Sequence, residues 1–153
     1  MFTVGAFGII LDDQQRVLLC HRKDMDRWNL PGGGVISGET PWQAVIREVY
    51  EEVGLVVTVD RLIGVYAYPP RDDLVFSFLC TIIGGEIGES DEADAIDYFA
   101  VEYLPPTTHV HHKLRIRDLL ENSEQLYLKT LPLLSPGEFS SPNRLKSQQA
   151  QEG

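Results

Sequence analysis

Cysteine is scarce in this chain: Cys20 and Cys80 are the only two, each inside an apolar, strand-like run. A disulfide between them is open but unneeded, and free buried thiols in a reducing cytoplasm are the expectation. No activating constellation accompanies either thiol, so neither is expected to act as a nucleophile. Positive charge is also short. Thirteen Lys and Arg stand against 23 Asp and Glu, a net charge of −10. That balance argues against a nucleic-acid polymer or an anionic membrane as partner. It also sets a problem for any phosphate substrate, which the protein as a whole repels unless a metal ion reverses the sign locally. No apolar run approaches the length of a membrane span. The opening Met1-Phe2-Thr3-Val4 lacks the charged start and cleavage site of a signal peptide. A cytoplasmic protein is expected.

The chain has 153 residues, enough for one domain with a substantial core. Beyond Leu134 the composition turns to Ser, Pro, Gln and Asn. The organisation expected is one domain over 1–134 and a flexible tail over 135–153.

The densest stretch runs from Gly33 to Leu55, a glycine-rich loop followed by a helix. Thr40 is a good N-cap, Pro41 suits the first helical position, and Gln43 completes a Thr-x-x-Gln capping box. Gly54 is a natural left-handed stop. Trp42, Val45, Ile46, Val49 and Val53 share one apolar sector, which predicts that they face a core. Glu48, Glu51 and Glu52 share another, about 100° wide. Like charges at these spacings destabilise a helix by a few tenths of a kcal/mol each. Arg47 can brace Glu51, but one arginine does not neutralise three glutamates. The inference is a hard, oxygen-liganded divalent ion, Mg²⁺ or Mn²⁺.

Around this stretch the chain reads mostly as strands. Val4–Leu11 is one, Asp12–Gln15 reads as a hairpin turn, and Arg16–His21 as the returning strand. Arg22–Trp28 is a loop whose Arg22, Lys23 and Arg27 stand out in an acidic chain; solvent-facing charges and substrate contacts both remain open. Trp28 is expected to pack under the loop. Val56–Val59 reads as a strand ended by Asp60, Leu62–Tyr68 as another ended by Pro69-Pro70, and Leu74–Ile83 is the most β-like run. An acidic cluster from Glu86 to Asp97 reads as a solvated loop. Tyr98–Val101 is a short strand, and Val110–Leu128 contains a second amphipathic helix with Asn122 near its end. His109, His111 and His112 read as loop and helix-start residues, because no cysteine or fixed metalloprotease spacing accompanies them.

The motif Gly33-x-x-x-x-x-Glu39, followed by Arg47-Glu48-Val49-x-Glu51-Glu52-x-Gly54-Leu55, matches every fixed position of the Nudix box. The chain resembles a Nudix hydrolase over roughly residues 3 to 125. The resemblance implies an α/β protein of the Nudix fold, an α/β/α sandwich with a mixed β-sheet. It implies a metal-dependent hydrolase of the diphosphate linkage in nucleoside diphosphate derivatives. Metal would be held by Glu48, Glu51, Glu52 and the Gly32 carbonyl. Catalysis would draw on Glu51, Glu52 and Glu92, with Arg47 holding a glutamate in its ligating rotamer. Glu92 enters because it precedes Tyr98 by six residues, a spacing seen in this family, with Glu89 as the fallback. Glu39 would hydrogen-bond within the loop or reach metal through water. Arg22, Arg27 and Gly33 lie where the resemblance places substrate.

Pro70, fifteen residues past Leu55, matches a proline found in many ADP-ribose-cleaving relatives. ADP-ribose or an ADP-sugar is therefore the favoured substrate. The alternatives are a (d)NTP pyrophosphatase, oxidised nucleotides included, and a non-catalytic Nudix nucleotide-binding module. The partner expected is a small nucleotide, and homodimers are common in the family.

Overall fold

Two runs of apolar residues open the chain as strands β1 (Thr3–Ile10) and β2 (Val17–Arg22), in a computed structural model that describes residues 1–131. The expected tail, 135–153, and its boundary at 134 lie outside the described residues. There follow β3 (Trp28–Asn29), β4 (Gly32–Gly34), α1 (Pro41–Val53), β5 (Leu55–Tyr68), β6 (Asp73–Gly85), β7 (Ala93–Phe99), α2 (Val110–Glu121) and β8 (Tyr127–Thr130). One sheet has the order β4-β1-β6-β5-β8, the other β3-β2-β7. The first is mixed: β1 runs parallel to β6 and β5 to β8, while β4 and β6 meet their other neighbours antiparallel.

Successive strand side chains point to opposite faces, and the two helices use both. Leu18 and Cys20 of β2 join Ala6, Phe78 and the α1 residues Val45, Val49 and Val53 in one cluster. Val17 and Leu19 join Ile9, Tyr66 and the α2 residues Leu114, Ile116 and Leu119 in the other. The arrangement is an α/β structure with helices on a mixed sheet.

Helix α1 forms for the reasons its sequence carries. The Thr40 side chain accepts from the Gln43 N–H, and the Gln43 side chain accepts from the Thr40 N–H. Such a cap contributes about 1 kcal/mol. Gly54 ends the helix at φ 80°, and its N–H donates to the Tyr50 carbonyl.

The helix sits rotated from the expected orientation. Ala44 is fully buried, whereas Trp42 is 53% and Ile46 36% exposed. The arc that meets the sheet turns towards the glutamate side, takes in Ala44 and leaves Ile46 at its margin. This rotation carries Glu48 and Glu52 inward.

The strand pattern also needs correction. The first two strands do not form a hairpin ladder: β2 belongs to the other sheet, and one isolated bridge, Leu11–Val17, joins it to the chain after β1. Asp60 does not end a strand. β5 is continuous across it, with register shifts between Val59 and Arg61 and between Leu62 and Gly64. These bulges absorb the polar residues without breaking the pairing. β7 begins at Ala93, inside the acidic stretch, and Val101 belongs to a 3₁₀ turn. β8 follows α2 where no strand was expected. Trp28 packs edge-on against His21 and Phe99, as a loop anchor should.

Candidate metal and substrate site

Residues four apart on a helix stack on one face, so Glu48 and Glu52 project from α1 together. Glu92, just before β7, joins them from across the sheet. One carboxylate oxygen from each lies within 4.8 Å of the others. Burial raises the pKa of Glu48, and burial pushes Glu52 up to about 8, with the Glu48 and Glu92 charges adding to it. The Glu52 Oε2 accepts from the Gly32 N–H at 3.2 Å and from the Cys20 thiol at 3.5 Å. Three converging carboxylates form a hard-oxygen donor set, which suits a divalent cation. Among the described residues this is the group able to hold a metal ion.

Glu51, expected beside them as a ligand and catalyst, is not in this group. It lies about 100° round the helix from Glu52, its side chain is 54% exposed, and its carboxylate binds Arg47 Nη1 at 3.0 Å. Arg47 is the organiser of the loop-helix unit. Its Nε and Nη2 donate to Glu39 at 3.1 and 2.7 Å, its Nη1 to Glu48 at 3.1 Å, and its Nη2 also to the Gly34 carbonyl at 3.0 Å. The hydrogen bonds with Glu39 lead in raising the Arg47 pKa. Glu39 also accepts the Ile36 N–H at 3.0 Å, so its contacts lie within the loop.

The glycines are steric requirements. A Cβ on Gly33 would stand 2.6 Å from the Glu48 carboxyl carbon, and one on Gly32 would stand 2.3 Å from the Ala6 carbonyl oxygen. β4 can press against both β1 and the glutamates only because it is bare backbone.

Two cavities flank this strand, and Phe7 lines both. The smaller, about 500 Å³, holds Glu52, Glu92, Gly32, Asn29, Arg22 and Lys23. Arg22 is paired with Asp24 there. The larger, about 750 Å³, is lined by Gly33, Gly34, Arg27, Tyr68, His109, His111 and Arg115, among others. Arg22 and Arg27 therefore face different cavities. The loop carrying them is latched by His21, whose Nε2 meets Asp26 at 2.9 Å and whose Nδ1 meets Asp94 at 2.8 Å. A ring with both nitrogens donating is an imidazolium, and the hydrogen bonds to Asp26 and Asp94 raise its pKa.

The three histidines are helix-start residues, as expected. His109 caps α2 by accepting the His111 N–H, and His112 Nδ1 accepts the Leu30 N–H at 2.9 Å. Burial leads in holding all three neutral, with the Arg115 charge adding to it in each case, the neighbouring rings at His109 and His112, and Arg71 at His111: His109 at about 3, His111 at about 4 and His112 well below its usual value. The sequence reading gave no role to Asn29, Phe7 or Arg115. For Arg115 a signal existed, since a basic residue stands between Leu114 and Ile116 on a helix face otherwise buried.

Comparison with known proteins agrees with this geometry. The NUDIX domain model matches residues 1–120. A Bacillus subtilis protein provisionally named an 8-oxo-dGTP diphosphatase is 34% identical over 127 residues, covering 82% of this chain and 85% of the relative. An ADP-ribose pyrophosphatase of Methanocaldococcus jannaschii is 38% identical over 125 residues, covering 77% of this chain and 73% of the relative. The crystal structure of a NUDIX hydrolase from Nitrosomonas europaea shares the fold, with a TM-score of 0.73 at 22% identity, covering 86% of this chain and 79% of that one. The chain belongs to the Nudix family and is a hydrolase of phosphoanhydride bonds.

Proposed function

We propose that this protein hydrolyses the diphosphate linkage of small nucleoside diphosphate derivatives, with Mg²⁺ or Mn²⁺ held by Glu48, Glu52 and the Gly32 carbonyl, and with Glu92 beside them. The observation that carries this reading is the convergence of three carboxylates within 4.8 Å, next to a cavity that holds Arg22 and Lys23. A bound divalent ion supplies positive charge against the diphosphate and Lewis acidity that lowers the pKa of water. Water attacks one phosphorus, the bridging P–O bond breaks, and the bridging oxygen leaves with the other phosphate. Glu92, exposed at the edge of the cluster, accepts the proton of the attacking water. Arg47 acts through Glu48 as a positioning residue and does not touch substrate. Glu51 contributes by neutralising Arg47. Cytoplasmic placement rests on two free buried thiols.

The larger cavity takes the nucleoside. Its flat rings suit a base, and Gly33 and Gly34 lead from it to Glu48. The sequence-based preference for ADP-ribose or an ADP-sugar rests on Pro70, and the relative from M. jannaschii supports it. Pro70, however, is exposed on the 3₁₀ turn Pro69–Arg71, and the cavity wall runs from Tyr68 to Arg71 without it. A second reading, pyrophosphohydrolysis of nucleoside triphosphates, oxidised ones included, gains support from the B. subtilis relative and from Arg115. The test is formation of the nucleoside monophosphate, resolved by chromatography, from ADP-ribose, ADP-sugars, dGTP and 8-oxo-dGTP, with and without EDTA. Metal-dependent turnover of at least one is expected. Undiminished turnover in thorough chelation sinks the metal assignment, and no turnover of any nucleotide favours a binding module.

A further inference from the structure

The metal site does not account for Arg115. This residue lies in the middle of α2, is 4% exposed and lines the larger cavity. Its guanidinium carbon sits 5.2 Å from the Phe7 ring centroid and 5.6 Å from that of Tyr66. Its Nε and Nη1 are buried and have no hydrogen-bond partner among the described residues. Buried donors without partners are costly, most of all on a charged group. The nearby acceptors are engaged: the Tyr66 hydroxyl donates to Asp118, and Asp118 also takes Lys129 at 2.6 Å. Unmade donors on a residue that lines a cavity point to acceptors that arrive with the ligand.

The cavity says which acceptors. Phe7, Tyr68, His109 and His111 give it flat walls, suited to a planar heterocycle. Asp26 and Asp73 line it together with Arg27 and Arg71, so it is not a basic trap for a free anion. Guanidinium carries donors only. A 6-oxopurine offers two neighbouring acceptors, O6 and N7. Adenine offers N7 beside an N6 amine, whose hydrogens would face the donors of Arg115.

We propose that Arg115 is the specificity-determining residue of the larger cavity, donating to O6 and N7 of a 6-oxopurine base, guanine or hypoxanthine, and disfavouring adenine. This deepens the nucleotide reading above and rests on it. Base selection thus comes from α2, while the chemistry stays on α1.

The matched pair for the test is dITP and dATP, which differ at position 6 of the base, oxygen against amine. Measure kcat/KM for both, and for dGTP, on the full chain with Mg²⁺. Compare wild type with Arg115→Gln and Arg115→Lys, and take melting temperatures alongside. Wild type should prefer dITP over dATP by about tenfold or more. Arg115→Gln should narrow or invert that ratio, since a carboxamide offers one donor and one acceptor, the pattern that pairs with adenine N6 and N7. A wild-type ratio near one overturns the proposal, as does a ratio unchanged in a folded Arg115→Gln protein. If that variant fails to fold, the wild-type ratio and the relative binding of dIMP and dAMP decide the matter. Hydrolysis without discrimination removes only the role of Arg115; absence of hydrolysis for all three triphosphates with ADP-ribose still cleaved overturns the 6-oxopurine proposal alone, and absence of hydrolysis for ADP-ribose as well overturns the nucleotide reading with it.

Discussion

Glu52→Gln separates the chemical role of this glutamate from its cost to the fold. Burial, with the charges of Glu48 and Glu92 adding to it, raises the carboxyl pKa from 4.5 to about 8 in the absence of metal, against the lowering hydrogen bonds from the Gly32 N–H and the Cys20 thiol. A carboxyl with a folded pKa above its unfolded value stabilises most below about pH 4.5. That contribution drains away as pH rises towards 8. The ceiling on the loss is roughly 5 kcal/mol, from about 1.4 kcal/mol per pH unit over the interval. Relaxation and water entry reduce it to about 2 to 3 kcal/mol. For a domain of this size that corresponds to roughly 5 to 10 °C in melting temperature. Glutamine has the shape of the protonated acid and cannot ionise. In EDTA, wild type and Glu52→Gln should melt together at pH 5, and the variant should melt higher at pH 9. Mg²⁺ at pH 9 should raise the wild type and leave the variant nearly unmoved, while the variant loses at least about 100-fold in kcat. The comparison between the two proteins cancels the titration of groups that do not interact with Glu52; Glu48, Glu92 and Cys20 do interact with it. A variant that melts lower than wild type at pH 9, or one that keeps its activity, refutes the reasoning.

Gly33→Ala should lower metal affinity and kcat by about 10- to 100-fold, because the new methyl falls 2.6 Å from the Glu48 carboxyl; an unaltered Mg²⁺ titration of activity would count against it. Arg47→Lys keeps the charge but loses the fork that spans Glu39, Glu48, Glu51 and the Gly34 carbonyl, and kcat should fall by about tenfold or more. Activity within twofold of wild type would mean that charge alone suffices. His109 and His111 are held neutral in the fold by burial, at about 3 and about 4, so their share of stability is present above their unfolded pKa near 6.5 and is lost as pH falls below it. His109→Asn keeps an N-cap and should melt with a shallower decline between pH 7 and pH 5; a decline as steep as that of wild type would show that the ring does not take up a proton on unfolding.

Helix α1 was legible because everything that specifies it is local. The cap, the first-turn proline, the stop and the glutamate face all lie within one window of sequence, and a box with no mismatch named the family. The rotation of that helix was not legible. Hydrophobic periodicity placed Ile46 inside and treated Glu48, Glu51 and Glu52 alike, whereas the sheet meets an arc that includes two of the glutamates and excludes the third. The contacts that decide this come from Gly32, Cys20 and Glu92, distant in sequence. The false hairpin has a similar cause: turn residues between two apolar runs report a reversal of the chain, not which strand each run will pair with. β8 is only Tyr127–Thr130, too short to leave a pattern, and it is held by its parallel pairing with β5. Neither charge nor spacing reveals that Nε and Nη1 of Arg115 lack partners among the described residues.

The Cys20 thiol faces two acceptors at 3.5 Å, Glu52 and the Asn29 carbonyl, and burial followed by the charges of Glu52 and Glu92 suppresses its thiolate. Cys80, buried on β6, is pushed up to about 12. Alkylation and oxidation proceed through the thiolate, so both sulfurs are silent while the chain is folded. They become visible to a thiol reagent only when the core around α1 opens. The labelling rate of these two cysteines is then a clock for that opening, and bound metal and nucleotide, which hold the same helix against the same sheet, should slow it.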